Sequence, residues 1–177
     1  MKYGIITSTK GDYRMDNSDF VKADILEPSY KQDLHVFICH QVNCRGVMGA
    51  GLAKQIATRY PAVFREYREF CQANCFDANV LLGKALVSNA TGEPNVSIVN
   101  LFGQDGYGRG KRYTSYTAIQ LALEELARYC GGVSEPYVVR IPFLMGCGLG
   151  GGDWQAVSRI IRNTLMTRKI SVEIWGL

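Results

Sequence analysis

The sequence contains no apolar run approaching the roughly 18 residues that a membrane-spanning helix needs. It also opens without the charged segment and following apolar stretch of a secretory signal peptide. No linker or low-complexity stretch divides its 177 residues into parts. These absences predict one soluble, cytoplasmic domain spanning residues 1–177, with no membrane partner.

Metal-ligating residues are scarce, because the sequence has two histidines and no Cys-x-x-Cys pair. A zinc site built from His40, Cys44, Cys71 and Cys75 is conceivable, but its spacing matches no common zinc finger. We therefore expect no metal and no other cofactor. The six cysteines fall mostly in apolar or helical patterns, which favours reduced thiols over disulfides.

A Walker loop is also missing, since Gly110-Lys111 continues into Arg112, and the other Gly-Lys pair, Gly83-Lys84, into Ala85, instead of Ser or Thr. This disfavours hydrolysis of nucleoside triphosphates. The net charge of +4 is too small and too dispersed to predict a nucleic-acid groove. It does suit attraction to a small anionic ligand.

Short apolar runs alternate with amphipathic patterns along the chain. They predict strands at 3–7, 20–26, 35–42, 81–87, 96–102, 137–143 and 170–175, and helices at 52–60, 63–71, 114–130 and after Asp153. This alternation predicts an α/β fold in which helices cover a largely parallel sheet. Ligands of such folds bind at the carboxyl ends of the strands.

Two glycine clusters, at 46–51 and 146–152, each follow a predicted strand and precede a predicted helix. Backbone without side chains can approach a ligand closely, and its amides can bind phosphate oxygens. Two such loops on one sheet predict a clamp for a pyrophosphate. A third cluster at 103–112 adds Arg109, Lys111, Arg112 and Tyr107, which suits a lid over an anionic ligand or a solvated connection.

Two polar residues stand near the end of the strand before the first glycine cluster. Asn43 could hydrogen-bond a diol such as a ribose edge, or it could be a turn residue that satisfies its own backbone. His40 could act as a general base or nucleophile near neutral pH. Equally, His40 could be a neutral strand residue bonded to a backbone carbonyl.

Three further residues have competing interpretations. Asp153 directly precedes a predicted helix, which favours an N-cap worth about 1 kcal/mol over a catalytic carboxylate. Asp24 is either a strand-end cap or a carboxylate that accepts a base amino group. Trp175 offers a flat face for a purine, although a buried aromatic is the default there.

Three segments resemble the macro domain, a fold that binds ADP-ribose. They read FVKADIL (20–26), ICHQVNCRGVMGAGLAKQIATRYP (38–61) and IPFLMGCGLGGGDW (141–154), in the right order and with both glycine loops in place. The resemblance covers the chain from about residue 20 to its end. It implies a single macro domain, a three-layer α/β/α sandwich around a mixed, largely parallel sheet.

The resemblance also implies roles for individual residues. Asp24 corresponds to an aspartate that contacts the adenine amino group, although Ala23 replaces the usual glycine before it. Asn43 corresponds to the asparagine that holds the distal ribose. The ligand-binding residues implied in this way are Asp24, Ile25, Gly46, Val47, Met48, Gly49, Ala50, Gly51, Leu52, Gly146, Cys147, Gly148, Leu149, Gly150, Gly151 and Trp175.

Within the family, GLAKQIATRYP and the histidine of ICHQVNC are most similar to ADP-ribose 1″-phosphate phosphatases. This similarity implies catalytic roles for His40 and Asn43, with ADP-ribose or ADP-ribose 1″-phosphate as the partner. We expect the protein to be a monomer. The GCGLGGGDW loop instead resembles hydrolases that release ADP-ribose from proteins or nucleic acids, so a nucleic acid would bind only if ADP-ribosylated.

Two residues that such hydrolases use are missing from this chain. Residues 56–59 contain no lysine, and Gly150 stands where some of those hydrolases have an aspartate. Lys54 and Asp153 are nearby but would need a different geometry. A third possibility is a reader that binds ADP-ribose without turnover.

Overall fold

The computed structural model describes residues 20–28 and 33–176. Its strands are β1 (Phe20–Lys22), β2 (His35–Asn43), β3 (Ala85–Asn89), β4 (Val96–Gln104), β5 (Tyr137–Pro142) and β6 (Val172–Gly176). Its helices are α1 (Gly51–Arg59), α2 (Pro61–Ala73), α3 (Ala78–Leu81), α4 (Tyr116–Cys130) and α5 (Trp154–Thr164), followed by a 3-10 turn (Met166–Arg168). The strand predicted at 3–7 lies outside the described residues.

The six strands form one sheet in the order β1-β6-β5-β2-β4-β3. All neighbouring pairs are parallel except β3 and β4, which are antiparallel. The predicted mixed, largely parallel sheet is confirmed. The nine-residue β2 lies inside the sheet between β5 and β4, and because both of its faces are covered it reads as an apolar run with little alternation.

Helices cover both faces of the sheet. Successive side chains of a strand point to opposite faces. Val36 and Ile38 of β2 accordingly pack into a core with α1 and the start of α2, and Phe37 and Cys39 pack into another core with α4 and α5. The three-layer α/β/α sandwich expected from the sequence is therefore confirmed.

Local side chains set the ends of the helices. Pro61 occupies the first turn of α2 and separates it from α1, as the sequence predicts. The Asp153 carboxylate accepts a hydrogen bond from the Ala156 amide at 2.9 Å, which confirms the N-cap of α5. None of the helices in the described ranges is long and apolar enough to cross a membrane.

Two predicted strand boundaries are wrong by four residues. The strand predicted at 20–26 ends at Lys22, because the Asp24 carboxylate accepts a hydrogen bond from the Leu26 amide at 2.9 Å and forms a turn. The strand predicted at 81–87 begins only at Ala85. Residues 78–81 form α3 instead, since Asp77 caps it by accepting from the Asn79 amide.

Candidate functional site

A cleft of about 590 Å³ opens at the carboxyl ends of β2, β4 and β5. One wall is the first glycine loop (residues 44–50) with the start of α1, and a second wall is the second glycine loop (residues 143–152). The middle segment (residues 105–113), which follows β4, contributes a third side. Parallel strands place all three connections at the same edge of the sheet, as ligand sites in such folds require.

The side chain of Asn43 shapes the first glycine loop. Its Nδ2 donates to the carbonyl of Val47 at 2.6 Å, and its Oδ1 accepts from the amide of Arg45 at 2.9 Å. Tyr67 of α2 donates its hydroxyl to the Asn43 carbonyl at 2.7 Å. Asn43 is therefore the turn-forming residue of one interpretation, and it also lines the cleft.

The start of α1 presents backbone amides without a side-chain cap. Its N-cap is Ala50, which has no polar side chain, and Gly51 adopts a φ of +54° that favours glycine. The first amides of a helix have no partner inside the helix and form the positive end of its dipole. Residues 49–53 line the cleft, so this end of α1 is suited to an anion.

The second glycine loop presents a matching set of amides. Among the described residues, the N–H groups of Gly148, Leu149 and Gly150 have no hydrogen-bond acceptor, and all three residues line the cleft. The loop lies close to the polar side chains beneath it. Gly146 adopts a φ of +74°, which favours glycine, and a Cβ there would also lie 2.5 Å from Oε1 of Gln41.

A small polar network holds the second glycine loop from below. Gln41 of β2 donates through Nε2 to Oε1 of Gln104 at 2.6 Å and to Oγ1 of Thr114 at 2.9 Å. Thr114 donates its hydroxyl to the carbonyl of Gly146 at 2.7 Å. Sequence reasoning missed this network, and no local motif indicates it because its members come from three separate segments.

His40 lies on the floor of the cleft and is 2% exposed. Its Nε2 donates to Oδ1 of Asn100 on β4 at 2.7 Å, while the Asn100 amide group donates to the carbonyl of Leu86. Burial lowers the pKa of His40 from 6.5 to about 4. The ring is therefore neutral at pH 7, and Nδ1 has no hydrogen-bond partner among the described residues.

The middle segment is tied to both glycine loops. Asp105 forms an ion pair with Arg45 at 2.5 Å, and its carbonyl accepts from the amide of Cys44 at 2.9 Å. At the other end, the amides of Tyr113 and Thr114 donate to the carbonyl of Gly150. Between these anchors, residues 107–109 line the cleft.

The structure brings some of the sequence-predicted site residues into the cleft and leaves others outside its lining. Those in the lining are His40, Asn43, Val47, Gly49, Ala50, Gly51, Leu52, Gly146, Gly148, Leu149 and Gly150. Those outside it are Asp24, Ile25, Gly46, Met48, Cys147, Gly151 and Trp175. The Trp175 ring is 6% exposed and the guanidinium of Arg140 lies 4.1 Å from its centroid, so one ring face is already covered.

The two cysteines within the glycine loops, Cys44 and Cys147, are not reactive thiols. All six cysteines of the chain are free thiols, and burial raises the pKa of Cys44 to about 12 and that of Cys147 to about 11. Such thiols are protonated at neutral pH. Across the part of the chain that the structure describes, no group of three or more His, Cys, Asp or Glu residues is placed to hold a metal ion.

The family model of the macro domain matches residues 39–161. A Saccharomyces cerevisiae protein named ADP-ribose 1″-phosphate phosphatase is 33% identical over 120 residues, which cover 65% of this chain and 63% of the yeast protein. A Mycobacterium bovis protein named DNA ADP-ribosyl glycohydrolase is 32% identical over 124 residues, which cover 69% of this chain and 32% of that protein. The chain thus spans less than two thirds of the length of either relative.

Solved structures agree with this assignment. The structure of a macrodomain protein from Streptomyces coelicolor matches with a TM-score of 0.71 at 27% identity, covering 90% of this chain and 98% of that one. The family model covers most of the chain, including the first glycine loop, the middle segment and the second glycine loop. The protein belongs to the macro domain family.

Proposed function

We propose that the cleft binds ADP-ribose and that the protein is a hydrolase that removes the terminal phosphate from ADP-ribose 1″-phosphate. One observation carries the binding proposal. Two sets of backbone amides, at the start of α1 and in the second glycine loop, line one cleft without acceptors of their own among the described residues. A diphosphate between them would supply those acceptors.

The order of the strands supports one orientation of the ligand. Asp24 follows β1 and Trp175 lies in β6, at one edge of the sheet, while the two glycine loops follow β5 and β2 nearer its centre. The adenine would lie toward Asp24, Ile25 and Trp175, outside the main cleft. The diphosphate would lie between the loops and the distal ribose beside Asn43.

His40 supports the phosphatase chemistry. In the proposed reaction, a water oxygen attacks phosphorus, the bond from phosphorus to the 1″ oxygen breaks, and ADP-ribose and inorganic phosphate leave. The Nδ1 of His40 is buried without a hydrogen-bond partner among the described residues; a water drawn to it in the complex would donate a proton there, and the departing 1″ oxygen would take a proton from solvent. A base with a pKa of about 4 is weak, but a loose phosphoryl-transfer transition state depends more on positioning than on base strength.

The second candidate is hydrolysis of ADP-ribose conjugates, favoured by the 32% identity to a relative named DNA ADP-ribosyl glycohydrolase. The exposed side chains of Tyr107, Leu144 and Leu149 belong to the cleft lining and offer apolar surface to a group attached to the ligand. The Asp153 carboxylate, however, caps α5 and is not part of the lining. We therefore place this function second.

Variants of the two histidines test the proposal. His40→Gln removes the proposed proton acceptor, while His35→Gln is the matched control because His35 lies outside the cleft lining. Phosphate release from ADP-ribose 1″-phosphate is measured alongside calorimetric binding of ADP-ribose. We expect His40→Gln to lower kcat about 10- to 100-fold, which is less than the loss of a general base matched to neutral pH would cost, while ADP-ribose still binds.

Other outcomes would change the proposed mechanism or the proposed function. Unchanged phosphate release in His40→Gln would remove His40 from the mechanism. ADP-ribose released from ester-linked or base-linked conjugates, without phosphate release, would favour the second candidate. Binding with no turnover of any substrate would indicate a reader. The cytoplasmic location, the monomeric state and the single-domain extent over residues 1–177 stay predictions.

A further inference from the structure

We propose that Arg109 of the middle segment recognises the terminal phosphate and gives the site its preference for ADP-ribose 1″-phosphate over ADP-ribose. This inference rests on the proposed function. Its starting point is the charge of the cleft lining: among the described residues that form it, Arg109 is the one whose side chain is formally charged at neutral pH. No Asp, Glu or Lys belongs to that lining.

Neighbouring cations are already engaged elsewhere. Arg45 pairs with Asp105 at 2.5 Å. The Lys111 ammonium lies 4.9 Å from the centroid of the Tyr113 ring, and the Arg112 guanidinium lies 4.8 Å from that of Tyr116. Arg109 makes no ion pair, hydrogen bond or ring contact with any described residue, so its guanidinium is available to a ligand.

The diphosphate and the terminal phosphate of ADP-ribose 1″-phosphate need different protein groups to bind them. A diphosphate can be bound by backbone amides, which this cleft supplies on two walls. A phosphate monoester adds nearly two further negative charges at neutral pH and three acceptor oxygens. A guanidinium is the protein group best matched to such an end, because it donates two parallel hydrogen bonds.

Arg109 also lies on the side of the cleft where the 1″-phosphate of the ligand is expected. The middle segment follows β4, which neighbours β2 on the side away from β5, β6 and β1. With adenine toward β1 and β6 and the diphosphate between the loops after β5 and β2, the distal ribose and its 1″ position point toward β4. The end of the ligand that carries the extra phosphate thus meets the middle segment.

The middle segment can bring Arg109 to that phosphate. Its two ends are fixed to the glycine loops through Asp105 and Tyr113. Gly108 and Gly110, on either side of Arg109, adopt φ values of +144° and +92°, which glycine permits. A cation between two glycines, on a segment held at both ends, can adjust its position without losing its place over the cleft.

Arg109→Gln tests the inference, with Arg112→Gln as the matched control. Both variants remove one guanidinium from the same segment, and Arg112 is not part of the cleft lining. For each protein, phosphate release gives the KM for ADP-ribose 1″-phosphate, and inhibition by ADP-ribose gives its KI. If the wild type releases no phosphate, the same two ligands are titrated by calorimetry instead.

We expect Arg109→Gln to weaken binding of the 1″-phosphate form about 10- to 100-fold, the value of a charge-assisted pair of hydrogen bonds. Binding of ADP-ribose should change by less than about threefold, as expected for a distant, screened charge. Arg112→Gln should leave both affinities near the wild-type values, and Arg109→Lys should restore part of the preference.

Equal weakening of both ligands in Arg109→Gln would place Arg109 on the diphosphate and overturn the inference. Affinities for both ligands that stay at their wild-type values would also overturn it, with the proposed function intact. A wild-type protein that binds neither ligand would overturn both. A preference lost to Arg109→Gln in a protein that releases no phosphate would support the inference and refute the phosphatase activity.

Discussion

Replacing Gly150 with alanine should damage the second glycine loop, whereas the same change at Gly148 should not. A Cβ built on Gly150 would lie 2.6 Å from the backbone carbonyl oxygen of Gly146 and would also overlap Oγ1 of Thr114. A Cβ built on Gly148 has no atom within 4 Å. The two glycines are two residues apart in one loop, so they form a matched pair.

The magnitude follows from the contacts at Gly150. Ordinary van der Waals contact begins near 3.4 Å, so the Gly146 carbonyl would have to move by about 0.8 Å. That carbonyl accepts the Thr114 hydroxyl, and the carbonyl of Gly150 itself accepts the amides of Tyr113 and Thr114. Overpacking costs about 1–3 kcal/mol, and each strained hydrogen bond adds up to about 1 kcal/mol.

We therefore expect Gly150→Ala to lower the free energy of unfolding by about 2–4 kcal/mol. Gly148→Ala should change it by less than about 1 kcal/mol, because alanine also restricts the unfolded chain. Urea unfolding followed by fluorescence measures both values. The packing described for the second glycine loop would be refuted if Gly150→Ala were as stable as the wild type. It would also be refuted if Gly148→Ala destabilised the protein more than Gly150→Ala does.

Three further predictions follow from single side chains. Asn43→Ala should lower the free energy of unfolding by about 1–3 kcal/mol, since it leaves the amides of the first glycine loop without their acceptor; urea unfolding tests this, and no loss would contradict it. Asp153→Ala should cost about 1 kcal/mol and Asp153→Asn much less, because asparagine also caps helices; equal losses would exclude the cap. Because burial lowers the folded-state pKa of His40 from 6.5 to about 4, the unfolded chain binds the extra proton between these pH values and stability falls as the pH drops. Between pH 7.5 and pH 5 this group should lower the free energy of unfolding by about 2 kcal/mol. The wild type should therefore lose that much more stability over this pH range than His40→Gln does; identical losses would contradict the buried, neutral ring.

The main elements of the fold are predictable from the sequence because their signals are local. The apolar run of β2, the proline between α1 and α2, and the Asp153 cap of α5 each depend on residues that are close together in the chain. The two glycine loops are predictable for the same reason. Their position at one edge of the sheet follows from the parallel arrangement of the strands.

The side-chain contacts that support the site are not predictable from local sequence patterns. Gln41 contacts Gln104 and Thr114, which are 63 and 73 residues away, so no spacing pattern reveals the network. The partner of His40 is Asn100, which lies opposite it only because of the register between β2 and β4. The strand predicted at 20–26 extends past the end of β1, because the turn at Asp24 depends on one side-chain hydrogen bond.

The central claim is that backbone amides on two walls of one cleft bind the diphosphate of ADP-ribose. Proton–nitrogen correlation spectra of the labelled protein, recorded during a titration with ADP-ribose, report on each amide separately. We predict the largest shifts at Gly148, Leu149 and Gly150 and at the start of α1, with much smaller shifts on the outer face of α4. No shift in either loop at millimolar ADP-ribose, or shifts confined to a surface away from the cleft, would contradict the claim.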